Sequence, residues 1–523
     1  MAGLNFSYPP LQLSIDAICP QFCEPAAFAK HINSEFSKFL AVYNAGRTNV
    51  KTHVMLVNPP YPVGAPQSRF LPLGLAYLAA VLEEKGNEVT VIDCQAAGFD
   101  VRRFERELER ARPEIVGVTA STLTYKPAIE IVKTAKASCP ECLTVMGGPH
   151  VTVMDQQTLE EQPSVDVIVR REGEQTLLEL AEKKHEGKLQ RFNEIAGITF
   201  RIGKQIVRTS DRPFIQNLDV LPHPAYGRFP LSEYKVAGKM YLPIITSRGC
   251  PFQCTFCLAS KMCGKRFRAR SPRTVVDELE WLRDEYGADA FAFYDDTFTF
   301  DEKRAYDICE EIIRRRVGIP WDCRTRVDRV NRKILVKMRE ANCRLIHYGI
   351  ESGSQKMLDS MKKGTTTEQN AKAIKLTKDV GIAVAISVVV GYPGETVELL
   401  RETVEFIKKT EPDYIYACEA IPYPGTELYD LLKDLGWRID PDWNHYDEQT
   451  RVFENPSLPR DRLDEIRGEL YDWFFSPTYL LRKSLDGDFY SQIMARAALN
   501  HLLWRIKLPR KLFSAAKLVL PKR

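Results

Sequence analysis

Between residue 52 and about residue 190, short apolar runs rich in β-branched residues recur along the chain: VMLVN (54–58), VTVID (89–93), EIVGVT (114–119), LTVMGG (143–148) and VDVIV (165–169). Stretches of helical period separate them, such as LGLAYLAAVLEEKG (73–86) and PAIEIVKTAKAS (127–138). Strand, helix and strand at this spacing predict βαβ units and a parallel sheet, here a five-stranded, doubly wound, Rossmann-like domain. From 242 to about 420 the alternation resumes, with strands at LPIITS (242–247), AFAFYDD (290–296), IPWDCR (319–324), RLIHYGIE (344–351), AVAISVVVG (383–391) and YIYACEA (414–420). One helix between them is signed at both ends, by Ser271 as N-cap with Pro272 behind it and by Gly287 as its stop. Six strands with intervening helices predict a partial (β/α)6 barrel, with function at the carboxyl ends of its strands. The fold class is therefore α/β.

The pattern divides the 523 residues into an N-terminal extension (1–51), the Rossmann-like domain (52–190), a connector with a hairpin-like stretch (191–240), the barrel (241–424) and a helical C-terminal region (425–523). A hydrophobic fraction of 44% with 27% charged residues is an ordinary globular balance and excludes a disordered or low-complexity chain. A net charge of +4 gives no global case for nucleic-acid binding. No apolar run is long enough for a transmembrane helix, and MAGLNFSYPP does not read as a secretory signal, so a cytoplasmic protein is expected. The 13 cysteines then read as reduced thiols, some holding metal. Cys19 and Cys23 alone cannot close a metal shell. Residues 489–523 carry Arg496, Arg505, Lys507, Arg510, Lys511, Lys517, Lys522 and Arg523 among apolar positions, with no acidic residue. This tail has two readings, a peripheral contact with an anionic membrane surface or a helix packed on the barrel.

The strongest chemical signal is Cys250-Pro-Phe-Gln-Cys254-Thr-Phe-Cys257, just after the first barrel strand. Three thiolates on one tight loop suit an iron–sulfur cluster with one iron left open for a ligand. A closed zinc site needs four ligands, and no second cysteine pair is evident. The carboxyl ends of the first-domain strands carry no G-x-G-x-x-G, which disfavours a nicotinamide dinucleotide.

SRGCPFQCTFC (247–257), together with FYDDTF (293–298), HYGIESGS (347–354), MKKGTT (361–366), GYPGET (391–396) and PYPGTELY (422–429), resembles the radical S-adenosylmethionine (SAM) enzymes with an N-terminal cobalamin-binding domain. That family includes bacteriochlorophyll ring cyclases, hopanoid and phosphonate-pathway methylases, and archaeal tetraether-lipid ring synthases. The resemblance spans roughly residues 52–440. It implies a 4Fe-4S cluster on Cys250, Cys254 and Cys257, and SAM chelating the open iron. Phe256 would lie beside the adenine, and Asp295 or Asp296 at the methionine amino group. Arg324 or Arg326 would meet the SAM carboxylate, Glu351 would contact SAM, and Gly391 would let backbone approach the adenosine. Cobalamin would sit against Gly147, Gly148, Glu172, Gly173 and Glu174, with Ser121 and Thr122 as hydrogen-bond donors. His150 would cap a helix or touch the cofactor. The D-x-H-x-x-G motif that supplies a lower cobalt ligand is missing from NPPYPVGAPQSRF (58–70), so no histidine ligand is expected from it.

The function implied is radical modification of an unactivated carbon, with methyl transfer favoured and ring closure as the alternative. The expected substrate is a small apolar molecule, lipid or tetrapyrrole-like, and the expected electron donor is ferredoxin or flavodoxin. An RNA methylthiotransferase would need three more cluster cysteines in its N-terminal domain, where this chain has only the scattered Cys94, Cys139 and Cys142. A non-catalytic cofactor sensor would bind the cofactors without cleaving SAM.

Overall fold

The computed structural model describes residues 51–62, 70–98 and 100–505. Cys19, Cys23 and the last part of the basic tail, 506–523, lie outside the described residues.

The first sheet contains β1 (His53–Asn58), β2 (Glu88–Asp93), β3 (Ile115–Thr119), β4 (Leu143–Gly147) and β5 (Val167–Val169). These five are parallel in the order β2-β1-β3-β4-β5, with helices at Leu73–Glu84, Val101–Ala111, Tyr125–Ser138 and Glu174–His185. That order reverses between β1 and β3, which opens a ligand crevice at the carboxyl ends of the strands. Valine and isoleucine fill both faces of the strands because helices cover both sides.

The stretch expected to be a connector differs from that expectation. β6 (Ile198–Ile202) and β7 (Gln205–Arg208) form a hairpin that pairs antiparallel onto β5, so the first sheet has seven strands. Arg170 fastens this addition. Its guanidinium is buried and donates to the Thr199 hydroxyl (2.6 Å) and the Thr209 carbonyl (2.7 Å).

The second sheet runs β16-β15-β14-β13-β12-β9-β8. Its strands are β8 (Lys235–Val236), β9 (Lys239–Ile244), β12 (Ala290–Phe293), β13 (Trp321–Thr325), β14 (Cys343–Glu351), β15 (Ala383–Val390) and β16 (Tyr414–Glu419). Six are parallel and β8 adds one antiparallel edge, which is the expected partial barrel. Its helix Pro272–Tyr286 begins and ends as the sequence predicts. The Ser271 hydroxyl accepts from the Thr274 amide, and Gly287 closes the helix at φ +63°.

The C-terminal region is helical over Arg460–Phe474, Pro477–Leu485 and Phe489–Arg505. Tyr490, Met494 and Ala498 of the last helix are buried in the main core, and the Tyr490 hydroxyl reaches Asp322 at 3.2 Å. The described half of the basic tail therefore packs on the barrel. Among the described residues, no helix is long and apolar enough to cross a membrane.

Candidate functional site

The cysteine loop leaves the barrel at the end of β9, and Asp295, two residues past β12, holds its root. The Asp295 carboxylate is buried and accepts from the Thr246 amide (2.7 Å), the Thr246 hydroxyl and the Ser247 hydroxyl (2.7 Å). β10 (Ser247–Arg248) then pairs antiparallel with β11 (Arg268–Ala269), closing the base of the loop. Gly249 turns at φ +96°, and a Cβ there would lie 2.2 Å from the Arg266 carbonyl oxygen, so only glycine fits. Farther out, the Cys257 amide donates to the Cys254 carbonyl (3.1 Å). Thr255 ties the loop inward, its amide on the Met361 carbonyl (3.1 Å) and its hydroxyl against that of Tyr392 (2.7 Å). Motifs distant in sequence thus meet under the cysteines.

Cys250, Cys254 and Cys257 are free thiols. Burial raises all three, Cys257 to about 12, and the Cys254 charge is felt at both Cys250 and Cys257. Among the described residues, no three His, Cys, Asp or Glu side chains are gathered ready to hold a metal ion, and a cluster on this loop would require the three thiols to draw together. The donor set fits one. It offers three thiols on one loop, with the cations Arg326 and Lys363 acting on Cys254 in the direction that favours thiolate.

The expected SAM residues separate into occupied and open groups. Asp295 is used up in holding Thr246 and Ser247, whereas Asp296 faces open space. Burial in the surrounding protein and the neighbouring Asp295 charge push the Asp296 carboxyl up to about 6. Arg326 is occupied by Asp328 (2.9 Å) and the Lys363 carbonyl (2.9 Å), and it lies over the Phe252 ring at 3.6 Å. Glu351 adopts φ +61° and pairs with Lys363 at 2.6 Å beside Cys254. Gly349 makes that pair possible, because a Cβ there would lie 2.4 Å from the Glu351 carboxylate. Phe256 packs on the apolar cluster containing Met357, Met361 and Tyr392. Gly391 turns at φ +78°, and its amide donates to buried Glu395 at 2.6 Å. Arg324 stands apart, over the Tyr294 ring at 3.9 Å.

A cavity of about 450 Å³ joins the two sheets. On the first-sheet side it is walled by Leu56, Leu75, Leu78, Val145 and Val169 and by the backbone of Gly117, Gly147, Gly148 and Gly173. On the barrel side it meets Ser247, Arg248, Met262, Cys263, Tyr294 and Asp296. Gly148 has φ +101°, and a Cβ there would lie 2.8 Å from the Ala120 carbonyl oxygen. Apolar walls floored by bare backbone suit a large flat ring system with an extended tail. Among the described residues, no histidine lines the cavity.

Other first-domain expectations meet a different arrangement. Ser121 and Thr122 do not line the cavity. The Ser121 hydroxyl engages that of Thr124 (2.9 Å), and the Thr122 hydroxyl engages His150 Nδ1 (3.2 Å). His150 is buried against Tyr125 and Trp443, and burial pushes its pKa down to about 4. Glu172 and Glu174 do reach the cavity, but their carboxylates belong to the seam between the sheets. Glu172 accepts from Arg268 (2.8 Å) and Arg248 (3.2 Å), and Glu174 from Arg248 (2.7 Å). Arg248 sits two residues before Cys250, so the seam ties the first domain directly to the cysteine loop. Sequence reasoning missed the seam arginines and Lys363, although Arg248 and Lys363 lie within the recognised motifs.

Comparison with known proteins gives the same division. Residues 63–181 match the B12 binding domain and residues 244–407 the radical SAM superfamily. An uncharacterized methyltransferase of Pyrococcus horikoshii is 35% identical, with 79% of this chain and 90% of that protein covered. The anaerobic magnesium-protoporphyrin IX monomethyl ester cyclase of Rubrivivax gelatinosus is 33% identical, covering 80% and 75%. The solved structure of the radical S-adenosylmethionine methyltransferase TsrM from Kitasatospora setae superposes with a TM-score of 0.69 at 20% identity, covering 86% of this chain and all of that one. At that identity the likeness speaks for the fold alone.

Proposed function

Because the chain belongs to the radical SAM enzymes that carry a B12-binding domain, we propose that it transfers a methyl group to an unactivated carbon of a small molecule held at the mouth of the barrel. The observation that carries this reading is the single cavity running from the glycine-floored ends of β3 and β4 to Asp296 and the root of the cysteine loop. When bound, the 4Fe-4S cluster and SAM supply a carbon-centred radical, and cobalamin supplies a transferable methyl group. In this reading Cys250, Cys254 and Cys257 ligate the cluster. Asp296 accepts a charge-assisted hydrogen bond from the SAM amino group, which Asp295 is too occupied to offer. Glu351, held by Lys363, orients SAM, with Phe256 beside the adenine and the Gly391 turn beside the adenosine. Gly147, Gly148 and Gly173 let the cobalamin ring lie against backbone.

An apolar substrate of lipid or tetrapyrrole type is supported by the barrel's inner face, where Tyr416 is 40% exposed and Val389 is partly uncovered. A ferredoxin- or flavodoxin-like protein supplies the electron, and a cytoplasmic location with membrane contact through the tail is part of the same proposal. Ring closure is the second reading, favoured by the 33% identity to a magnesium-protoporphyrin ester cyclase.

The test is isotopic. The chain is expressed anaerobically in a lipid- or pigment-producing host fed methionine with a deuterated methyl group, beside a Cys254→Ala control. A product carrying the labelled methyl group is the expected result. A product that has lost hydrogen without gaining label replaces methyl transfer by ring closure.

A further inference from the structure

We propose that the substrate carries an acidic group, a carboxylate or a phosphate ester, and that Arg324 seats that group inside the barrel. The inference rests on the reading above, in which the barrel receives the substrate. Arg324 lies on β13 in register with His347 on β14. Among the described residues its guanidinium forms no ion pair, and its Nη1 is buried with no hydrogen-bond partner. The Tyr294 ring, which Arg324 covers at 3.9 Å, carries a buried hydroxyl whose charged neighbour is Arg324 itself. The nearby acid, Asp322, is two residues back on the same strand and already engaged. It accepts from the hydroxyls of Tyr241 and Tyr490 (3.2 Å), with His347 Nε2 at 3.5 Å.

The neighbour of Arg324 across the strands is the one that borders open space. The His347 side chain keeps 37% of its surface uncovered, yet burial and the Arg324 charge hold its imidazole neutral, with a pKa pushed down to about 3. A side chain both uncovered and deep in the protein lines an internal void. A cation without an ion-pair partner beside such a void makes a ready seat for an oxyanion, because guanidinium can donate two parallel hydrogen bonds to a carboxylate or phosphate.

The charges around Arg324 differ from those around the cysteine loop, although Tyr294 borders the cavity that Asp296 also lines. The charged groups acting on the three cluster cysteines include Asp296, Glu351, Lys363 and Arg326. Arg324 acts instead on Tyr241, Tyr294, Asp322 and His347. SAM bound at the open iron finds its neighbours in the first set. Arg324 belongs to the second, one level deeper in the barrel, so its role lies at the substrate. An apolar body ending in an anion then spans from Arg324 up to Tyr416.

The experiment uses the anaerobically reconstituted holoenzyme, with octanoate, octyl phosphate and octanol as probes in calorimetric titrations. The wild type is expected to bind both acids at least about tenfold more tightly than the alcohol. Arg324→Gln is expected to lose that preference, and Arg324→Lys to keep a weakened one. In all three proteins, adding SAM should still shift the electron paramagnetic resonance spectrum of the reduced cluster. Equal binding of acids and alcohol by the wild type, or no binding of any probe, overturns the proposal. Loss of the SAM-induced shift in Arg324→Gln also overturns it, by assigning Arg324 to SAM. Should Arg324→Gln not fold, Arg324→Lys decides the matter through its preference ratio. Failure of methyl labelling with an intact preference for acids refutes methyl transfer and leaves the anion seat standing.

Discussion

At the carboxyl ends of β3, β4 and β5, the cavity is bounded by Gly117, Gly147, Gly148 and Val169, and its charged residues are already paired, Arg171 with Asp211 at 3.0 Å and Glu172 and Glu174 across the seam. At the corresponding ends of β12, β13 and β14, the chain places Asp295, Asp296, Arg326 and Glu351. In the proposed reading the first sheet accommodates its ligand by leaving side chains out, and the barrel does so by orienting charges. The two modes fail differently. A binding surface made of bare backbone is lost when volume is added, whereas one made of charges is lost when a single polar group is exchanged. The Glu172–Arg248–Glu174 seam joins the two, and with all three side chains nearly covered, breaking it strands a buried charge.

The largest expected effect lies on the charged side. Cys254→Ala removes one of the three proposed cluster ligands and should lower reductive SAM cleavage by more than about a thousandfold, equivalent to about 4 kcal/mol. Formation of 5′-deoxyadenosine measures it. Cobalamin bound by the purified variant, read from its absorbance, should stay near the wild-type level. Loss of both together would mean that the two regions form one cooperative site. The converse variant is Gly147→Leu. A Cβ at this position has room, 3.6 Å from the Val169 carbonyl oxygen, and the rest of the leucine enters the cavity. Cobalamin affinity should fall by about a hundredfold, near 3 kcal/mol, with SAM cleavage retained.

The same contrast explains what the sequence disclosed. The strand–helix alternation and the cysteine loop are local patterns, and the structure repeats them closely. The hairpin Ile198–Arg208 read as a connector because its pairing with β5 is invisible in its own residues. Ser121 and Thr122 looked like ligand donors by residue type, but Thr124 and His150 claim their hydroxyls. A cavity is an absence of side chains, and a chain of letters does not display absence. Adjacent acids are a further case, since sequence offers Asp295 and Asp296 equally and only burial divides them. Asp296→Asn should raise the KM for SAM about twentyfold, within the 1.5–3 kcal/mol of a charged hydrogen bond, and leave the melting temperature unchanged. Lowering the pH through about 6 should weaken SAM in the wild type alone, as the raised Asp296 carboxyl takes up its proton. Asp295→Asn should instead lower the melting temperature and the cluster content. Equal behaviour of the two variants would erase the distinction between them.

The smallest effect sharpens the comparison by asking how acid reaches each region. On the barrel side it discharges an open carboxylate without disturbing the fold. On the first-sheet side the titrating group is His150, fully buried just after the Gly147–Gly148 floor, with a pKa depressed from 6.5 to about 4 by desolvation. The unfolded chain therefore binds the extra proton more readily below pH 6.5. The stabilisation is complete above 6.5 and is lost progressively as the pH falls toward 4. At pH 5.5, one unit below the unfolded value, the loss is about 1.4 kcal/mol. His150→Phe keeps the ring packing against Tyr125 and Trp443 but cannot titrate. It leaves the Thr122 hydroxyl without its partner, a cost that does not vary with pH. Urea unfolding at pH 7.5 and 5.5, monitored by cobalamin release, should show a smaller acid shift in this variant by about 1.4 kcal/mol. An identical shift in both proteins would place the acid sensitivity elsewhere and leave the glycine floor independent of the histidine beside it.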